Sequence, residues 1–160
     1  MHLTVVRHAF AGRKGTWDGP DIDRPLDELG ERQAAGLVVE LGRRRVRRVI
    51  SSPAARCRQT VAPLAAALEL PVELWSDLGP DAFTRWILTA CIADHEFDNA
   101  VICTHGELLS PLLQRADIAA LAQRDGHKRE RLLTKGTAWS LAIAAGTVTK
   151  LTHVVPRVEE

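Results

Sequence analysis

The stretch Leu3-Thr4-Val5-Val6-Arg7-His8 places a short, mostly apolar run directly before a guanidinium and an imidazole. An apolar run of this length that is rich in β-branched residues predicts a strand. Arg7 and His8 stand where that strand ends. In open α/β sheets, ligands bind in the crevice at the carboxyl ends of the strands. We therefore predict that this pair belongs to a site that handles phosphate.

Two further apolar runs also lead to a basic residue. The run VISSP at residues 49–53 leads to Arg56, and the run AVICT at residues 100–104 leads to His105. A lone Arg-His pair is more often a surface charge beside an ordinary histidine. Three strand ends in register instead favour an active site, in which two guanidiniums and two imidazoles surround one dianion.

The residue types predict a mechanism for this site. Hydrolysis of a phosphomonoester needs up to ~10²¹-fold acceleration, so both charge neutralisation and a good nucleophile are required. The His8 imidazole is predicted to be the nucleophile that forms a covalent phosphohistidine. Arg7 and Arg56 are predicted to bind the phosphoryl oxygens, because planar guanidinium donors match phosphate geometry. His105 is predicted to donate to the transferring phosphoryl group.

At these residues the chain resembles the histidine phosphatase superfamily, which has the phosphoglycerate mutase-like fold. The resemblance rests on VRHA (6–9), SSPAARCRQT (51–60) and THG (104–106), and it covers nearly the whole chain. Ala9 stands where the family usually has glycine. The resemblance implies the same roles for the four core residues, with Gly106 beside them in substrate binding. It also implies an α/β three-layer sandwich, in which a mostly parallel central sheet carries helices on both faces.

The patterns along the chain agree with such a layered α/β fold. Apolar residues at helical spacing predict helices from Leu26 to Leu41, from Cys57 to Leu68, from Phe83 to Ile92 and from Leu108 to Leu113. Residues 137–151 read as a β-hairpin.

Length and composition predict one compact domain, a single histidine phosphatase domain over residues 1–160. The chain has 160 residues and a formal net charge of +1, which is long enough to bury a core without disulfides. The three cysteines offer no paired framework and predict a reducing, cytoplasmic compartment. No run approaches membrane-spanning length. No metal-ligand spacing or Gly-rich phosphate loop occurs, so we expect catalysis without a metal or cofactor.

The leaving group needs a proton, and two acids are candidates for supplying it. Asp77 and Asp81 lie in the stretch where members of the superfamily commonly carry an acidic proton donor. Asp81 is the favoured candidate. It also stands before the predicted helix at Phe83, so it can equally be an ordinary carboxylate at a helix N-terminus.

Three surface segments bear on what the site binds, and one of them, residues 123–135, carries mixed charges and is a candidate for a mobile flap. Arg13 and Trp17 lie in the loop Gly12–Pro25 and are predicted to line the entrance, although a solvated loop with one packed tryptophan explains them equally well. The basic run Arg43–Arg48 stands at a predicted helix end, where cations complement the helix dipole. That position favours a structural role over nucleic-acid binding.

The sequence leaves the substrate open between a phosphohistidine protein and a small phosphorylated molecule. One small relative within the superfamily is the bacterial phosphohistidine phosphatase. Another is the histidine phosphatase domain joined to MutT-type Nudix hydrolases, which residues 12–25, 104–107 and 135–139 resemble more closely. The alternative functions are therefore a nucleotide- or polyphosphate-directed phosphatase acting beside a Nudix hydrolase, and a non-catalytic phosphate-binding module.

Overall fold

The fold is built on one central sheet. The computed structural model describes residues 1–80 and 82–159. Within them the chain forms six strands: β1 (His2–Arg7), β2 (Arg48–Ser51), β3 (Val72–Leu74), β4 (Ala100–Thr104), β5 (Ala138–Ala144) and β6 (Thr147–Val154). Their order in the sheet is β3-β2-β4-β1-β5-β6. Neighbours from β3 to β1 run parallel, whereas β5 and β6 pair antiparallel. The prediction of a mostly parallel sheet is confirmed.

The described residues also form five α-helices, namely α1 (Glu28–Leu41), α2 (Ala55–Ala67), α3 (Ile87–Ile92), α4 (Gly106–Leu113) and α5 (Ala116–Arg124). The first helix begins at Glu28 and not at the predicted Leu26. The reason is an N-cap, because the Asp27 carboxylate accepts a hydrogen bond of 2.8 Å from the backbone N–H of Gly30. No helix in the described residues is both long and apolar enough to span a membrane.

Helices cover both faces of the sheet because successive strand side chains point in opposite directions. One core joins α3, α4 and α5 to one set of strand residues, which are Leu3, Val5, Ile50 and Ile102. A second core joins α1 and α2 to the alternate set, which are Val6, Val49, Val101 and Cys103. The predicted three-layer sandwich is therefore confirmed.

The third helix is shorter than predicted. The structure has a 3-10 turn at Ala82–Thr84, and α3 begins only at Ile87. Phe83 and Trp86 supplied part of the apolar pattern, but both are exposed and do not reach the core. The predicted helix therefore began too early, because the apolar spacing included residues that do not pack in the core.

The predicted C-terminal hairpin is confirmed as β5 and β6. Ala145 and Gly146 connect the two strands, with φ of 50° and 76°. Positive φ at both positions is typical of the two-residue turn that matches the twist of paired strands.

The basic run that follows α1 is partly tied to the sheet. Arg44 donates to the Ser140 hydroxyl at 2.8 Å, and Arg48 pairs with the carboxylate of Glu73. The role of this run at the helix dipole stays a prediction.

Candidate active site

The strand order brings the three predicted strand ends to one edge of the sheet. In the register of β1 and β4, Arg7 lies opposite Thr104, and in that of β2 and β4, Ser51 lies opposite Cys103. The backbone N–H of His8 then donates to the carbonyl of Thr104 at 3.1 Å. Because β2, β4 and β1 are parallel neighbours, their carboxyl ends deliver the basic residues that follow them to a common place.

His8 lies at the centre of this edge and is 6% exposed. Its Nδ1 lies 2.9 Å from the carbonyl oxygen of Ala9. A carbonyl can only accept, so Nδ1 carries the proton and Nε2 keeps its lone pair. Burial, with the nearby charges of His105, Arg56 and Arg7, lowers the pKa of His8 to about 3. His8 is therefore an uncharged imidazole at neutral pH, with an unprotonated nitrogen.

His105 faces His8 across the site. The two ring centroids are 5.3 Å apart, with an angle of 63° between the ring planes. His105 is the N-cap residue of α4 and is buried. Its Nε2 lies 2.8 Å from the hydroxyl oxygen of Ser52, and its Nδ1 lies 3.4 Å from Nη2 of Arg56. Both ring nitrogens are therefore oriented by neighbouring side chains.

Two residues beside His105 were missed by the sequence analysis. Ser52 was read only as part of the run at residues 49–53, yet its hydroxyl oxygen lies 2.8 Å from Nε2 of His105. Cys57 was used only as the first apolar residue of a predicted helix, yet its Sγ lies 3.5 Å from the same nitrogen. Both lie within the motif at residues 51–60, so their nearness to Arg56 in the chain was the available signal.

Arg56 lies in the first turn of α2 and is buried. Its Nη1 donates to the backbone oxygen of Asp21 at 2.8 Å, and its Nη2 lies 3.2 Å from the Asp21 carboxylate. Nε of Arg24 lies 2.9 Å from the other oxygen of the same carboxylate. Asp21 and Arg24 were also missed by the sequence analysis, because they belong to the loop between β1 and α1 and are brought in only by the fold.

Arg7 reaches the site from the end of β1. Its Nη1 donates to the backbone oxygen of Leu133, and within the described residues its other four N–H groups have no hydrogen-bond acceptor given by the structure. A Cβ atom at Gly106 would lie 3.3 Å from Cζ of Arg7, so glycine lets the guanidinium lie against the start of α4. Burial lowers the pKa of Arg7, and the nearby charge of Glu107 acts in the opposite direction.

The loop that follows β1 is held by side chains from both helices of one layer. The backbone N–H of Ala9 donates to the Thr60 hydroxyl at 2.9 Å, and that of Phe10 donates to the Gln33 amide oxygen at 3.0 Å. The same Gln33 amide donates to the carbonyl of Lys135 at 3.0 Å. These contacts fix the chain directly after His8 and join it to the segment that carries Lys135.

Arg13 and Trp17 lie apart from the four core residues in the contacts that the structure gives. They line a shallow hollow of about 190 Å³, which also includes Arg24 and Asp27. The indole N–H of Trp17 donates to the carbonyl of Pro20, within its own loop. Their predicted role at the entrance stays a prediction.

Of the two acid candidates, the structure describes only Asp77. Asp77 is exposed in the 3-10 turn Ser76–Leu78, which is tied to the end of β4 because the Thr104 hydroxyl donates to the carbonyl of Leu78 at 2.7 Å. Asp81 lies outside the described residues. The turn that carries Asp77 therefore lies beside the strand that leads to His105.

The donor set of this site is suited to anions. Among residues 1–80 and 82–159, no three His, Cys, Asp or Glu side chains come together as a set that could hold a metal ion. The groups gathered around His8 are guanidiniums and an imidazole. Such groups bind a phosphoryl dianion directly.

The chain matches a family model and a characterised relative. The model of the histidine phosphatase superfamily (branch 1) matches residues 3–87. The chain is also 28% identical over 170 residues to the 8-oxo-(d)GTP phosphatase of Mycolicibacterium smegmatis. That alignment covers 96% of this chain and 48% of the relative, so the chain spans about half the length of the relative.

Solved structures share the fold over almost the full chain. The protein histidine phosphatase SixA, complexed with tungstate, superposes with a TM-score of 0.68 at 20% identity, covering 98% of this chain and 97% of that one. The mycobacterial glucosyl-3-phosphoglycerate phosphatase, complexed with VO3, superposes with a TM-score of 0.62 at 18% identity, covering 99% of each chain. At these identities the likeness shows the fold alone. Together with the family match, it shows that the chain belongs to the histidine phosphatase superfamily (branch 1), a superfamily of phosphatases, and has the SixA-like fold.

Proposed function

We propose that this chain is a metal-independent phosphatase that hydrolyses a phosphomonoester or phosphoramidate through a phosphohistidine on His8. The observation that carries the proposal is the state of His8. It is a buried, uncharged imidazole whose Nε2 is unprotonated, and it lies beside two guanidiniums and a second imidazole. A nucleophile in that state is ready to attack a phosphorus atom.

The reaction then proceeds in two steps. Nε2 of His8 attacks phosphorus and forms a P–N bond, while the bond from phosphorus to the leaving group breaks and the leaving group keeps the electron pair. In the second step, water attacks the phosphohistidine and the P–N bond breaks, with the electron pair returning to Nε2. One proton of the water stays on the inorganic phosphate that leaves, and the other returns to the acid that protonated the leaving group. His8 returns to its starting state, so one hard step is divided into two easier ones.

Arg7 and Arg56 are proposed to bind the phosphoryl oxygens throughout. Arg7 has four N–H groups without an acceptor given among the described residues, so it can bind an anion without breaking other contacts. A charge pair at about 4 Å contributes on the order of 4 kcal/mol if the effective dielectric constant is about 20. Two such contacts therefore contribute more to binding of the phosphoryl group than the net charge of +1 does.

His105 is proposed to donate to the transferring phosphoryl group. Its Nε2 faces the Ser52 hydroxyl, which leaves Nδ1 on the side of Arg56 and the anion. This role needs a proton on Nδ1 as well as on Nε2. His105 then donates from Nε2 to Ser52 and from Nδ1 to a phosphoryl oxygen.

Protonation of the leaving group is proposed for Asp81 or Asp77. Asp77 lies in the turn that is tied to the end of β4. A phosphoramidate has a more basic leaving nitrogen that can arrive already protonated, so it needs this acid less than an alkyl ester does. Comparing an ester with a phosphoramidate in Asp77→Asn and Asp81→Asn variants separates the two candidates.

The substrate is proposed to be a phosphohistidine protein or a small phosphorylated molecule. The first is supported by the fold of the protein histidine phosphatase SixA. The second includes a nucleotide or polyphosphate acted on beside a Nudix hydrolase, which is supported by the 8-oxo-(d)GTP phosphatase relative. The three cysteines are buried and unpaired, which supports a reducing, cytoplasmic location as part of this proposal.

The experiment that tests the proposal measures phosphate release from a substrate panel. The panel holds a phosphohistidine protein, nucleoside phosphates, sugar phosphates and p-nitrophenyl phosphate, and the wild type is compared with His8→Ala. We expect one substrate class to be preferred, and its turnover to fall by about 10³-fold or more in the variant. EDTA is expected to leave the wild-type rate unchanged.

Two results would contradict the proposal. Unchanged turnover in His8→Ala would exclude the phosphohistidine mechanism. Phosphate binding without turnover of any panel member would favour the alternative of a non-catalytic phosphate-binding module.

A further inference from the structure

Lys135 is held beside the catalytic pair by its own backbone. The N–H of the next residue, Gly136, lies 3.1 Å from the carbonyl oxygens of both Arg7 and His8. The carbonyl of Lys135 accepts from the Gln33 amide at 3.0 Å. Gly136 has a φ of +75°, and a Cβ there would lie 2.5 Å from the Gln33 side chain, so only glycine allows this close approach. The position of Lys135 is therefore built into the site.

The side chain of Lys135 lies at the rim of the site. Its ammonium is 5.4 Å from the centroid of the Phe10 ring, and that ring is 36% exposed. Burial lowers the pKa of Lys135, as do the neighbouring charges of Arg7, Arg24 and Arg56. The ammonium therefore shares its surroundings with the guanidiniums that we propose bind phosphate.

Three other charged side chains around the site, those of Arg24, Arg56 and Asp27, are already engaged. Arg24 and Arg56 both contact Asp21. The Asp27 carboxylate caps α1 and also accepts from the backbone N–H of Gly12. In contrast, Lys135 forms no ion pair with a carboxylate in the described part of the chain. It is a cation with free hydrogen-bond donors at the rim of an anion site.

We propose that Lys135 binds a second anionic group of the substrate, so that the preferred substrate carries another phosphoryl group near the one transferred to His8. This inference rests on the proposed function and narrows its substrate class to a phosphoanhydride or a bisphosphate. Arg7 and Arg56 bind the transferred group beside His8, whereas the Lys135 ammonium lies over the ring of Phe10, two residues after His8. A compact ammonium with three rotatable donors suits a second anionic group whose distance from the transferred phosphoryl group varies between substrates.

Binding of uncleavable anions tests the inference without turnover. Methylphosphonate carries one phosphonate group and methylenediphosphonate carries two, and both can be titrated calorimetrically into the wild-type chain in metal-free buffer. We expect the wild type to bind the diphosphonate about 10- to 100-fold more tightly, the range typical of a hydrogen bond between charged groups. Lys135→Met should remove most of that preference and leave the affinity for methylphosphonate unchanged, whereas Lys135→Arg should retain it.

A matched control is Lys150→Met, which removes an exposed lysine on β6 and should behave as the wild type. Equal affinities of the wild type for the two anions, or an equal loss of both in Lys135→Met, would overturn the inference and leave the proposed function standing. If neither anion bound, the proposed function would be contradicted as well.

Turnover distinguishes the two sources of the second phosphoryl group. The ratio of kcat/KM can be compared for adenosine diphosphate and adenosine 3′,5′-bisphosphate, each against adenosine monophosphate. A preference for the diphosphate that Lys135→Met removes would identify a phosphoanhydride, and the same result for the bisphosphate would identify that class. A preference for the monophosphate over both would overturn the inference.

Discussion

The Oδ2 atom of Asp21 lies 3.2 Å from Nη2 of Arg56, so a carboxylate already faces a guanidinium that we propose binds phosphate. The hydrogen bond from Arg24 and the charges of Arg56, Arg24 and Lys14 outweigh partial burial and hold the pKa of Asp21 below its ordinary value. Asp21 is therefore ionised at neutral pH. It orients Arg56 and at the same time offsets part of its charge.

Removing the charge of Asp21 should strengthen anion binding. Asn in place of Asp21 keeps an oxygen that can accept from Arg24, but it no longer repels a bound dianion. We expect the inhibition constant of inorganic phosphate to fall by about 3- to 10-fold in Asp21→Asn, a range consistent with the loss of one like charge near the surface.

The matched control for this prediction is Asp23→Asn, in the same 3-10 turn but exposed. It should leave phosphate inhibition unchanged. Weaker inhibition in Asp21→Asn would show that the orientation of Arg56 matters more than the repulsion.

Removing the Ser52 hydroxyl should impair catalysis more than folding. In Ser52→Ala, Nε2 of His105 loses its partner at 2.8 Å, although Cys57 Sγ remains 3.5 Å away as a weak substitute. We expect kcat to fall by roughly 10-fold, because a misoriented donor stabilises the transition state less well. Steady-state kinetics on the preferred panel substrate measures the effect.

Two further variants separate orientation from general loss of packing. Ser52→Thr retains the hydroxyl and should recover most of the rate. Ser140→Ala removes a hydroxyl on β5 that accepts a hydrogen bond from Arg44, and it should not change kcat. An unchanged kcat in Ser52→Ala would exclude a role for Ser52 in positioning His105.

A methyl group at Gly106 should displace Arg7. Its Cβ would lie 3.3 Å from both Cζ and Nη2 of Arg7, so the guanidinium has to move by a few tenths of an ångström. Because displacements of about 1 Å can cost about 10²-fold in rate, we expect kcat/KM to fall by roughly 10-fold in Gly106→Ala.

Stability should not follow activity in that variant. Alanine is favoured over glycine in a helix by up to about 1 kcal/mol, so the free energy of unfolding should stay equal or rise. Gly15→Ala is the control, because a Cβ at Gly15 meets nothing within 4 Å. A loss of stability in step with activity would point to a folding defect and not to a shifted Arg7.

The stability of the protein should depend on pH through His8. Burial lowers the pKa of His8 to about 3 in the folded chain, whereas it is about 6.5 in an unfolded one. Between these values the unfolded state binds a proton that the folded state does not. The free energy of unfolding should therefore fall as the pH falls below about 6.5, by about 1.4 kcal/mol per pH unit from this residue.

Urea unfolding of the wild type and His8→Asn at pH 7, 6 and 5 measures this effect. As the pH falls, the free energy of unfolding of the wild type should fall relative to that of His8→Asn, because asparagine does not titrate. Parallel pH dependences in the two proteins would contradict the assignment of a neutral, buried His8.

Much of the fold and the four core residues could be predicted from local sequence. An apolar run followed by a basic residue indicates a strand end, and three such runs were enough to select Arg7, His8, Arg56 and His105. Boundaries were less predictable. Phe83 continues the apolar spacing of α3, but the spacing of residues does not report whether a side chain is exposed, and Phe83 is 96% exposed.

The partners of the core residues could be found only from the tertiary structure. Asp21 is 35 residues from Arg56 in the chain, Leu133 is 126 residues from Arg7, and Gln33 is 102 residues from Lys135. Loop paths between elements decide such contacts, and loops carry no periodic pattern from which a path can be read.

The sequence by itself therefore determined the class of fold, the family resemblance and the residues proposed for the chemistry. These depend on hydrophobic alternation and on motifs that are local in the chain. The strand order β2-β4-β1 determined that the strand ends meet. The tertiary structure alone decided that Asp21 faces Arg56, that Ser52 orients His105 and that Lys135 lies at the rim. Such pairings form when distant segments of the chain pack together. Side-chain contacts and electrostatic interactions depend on distance in space and not on separation along the chain.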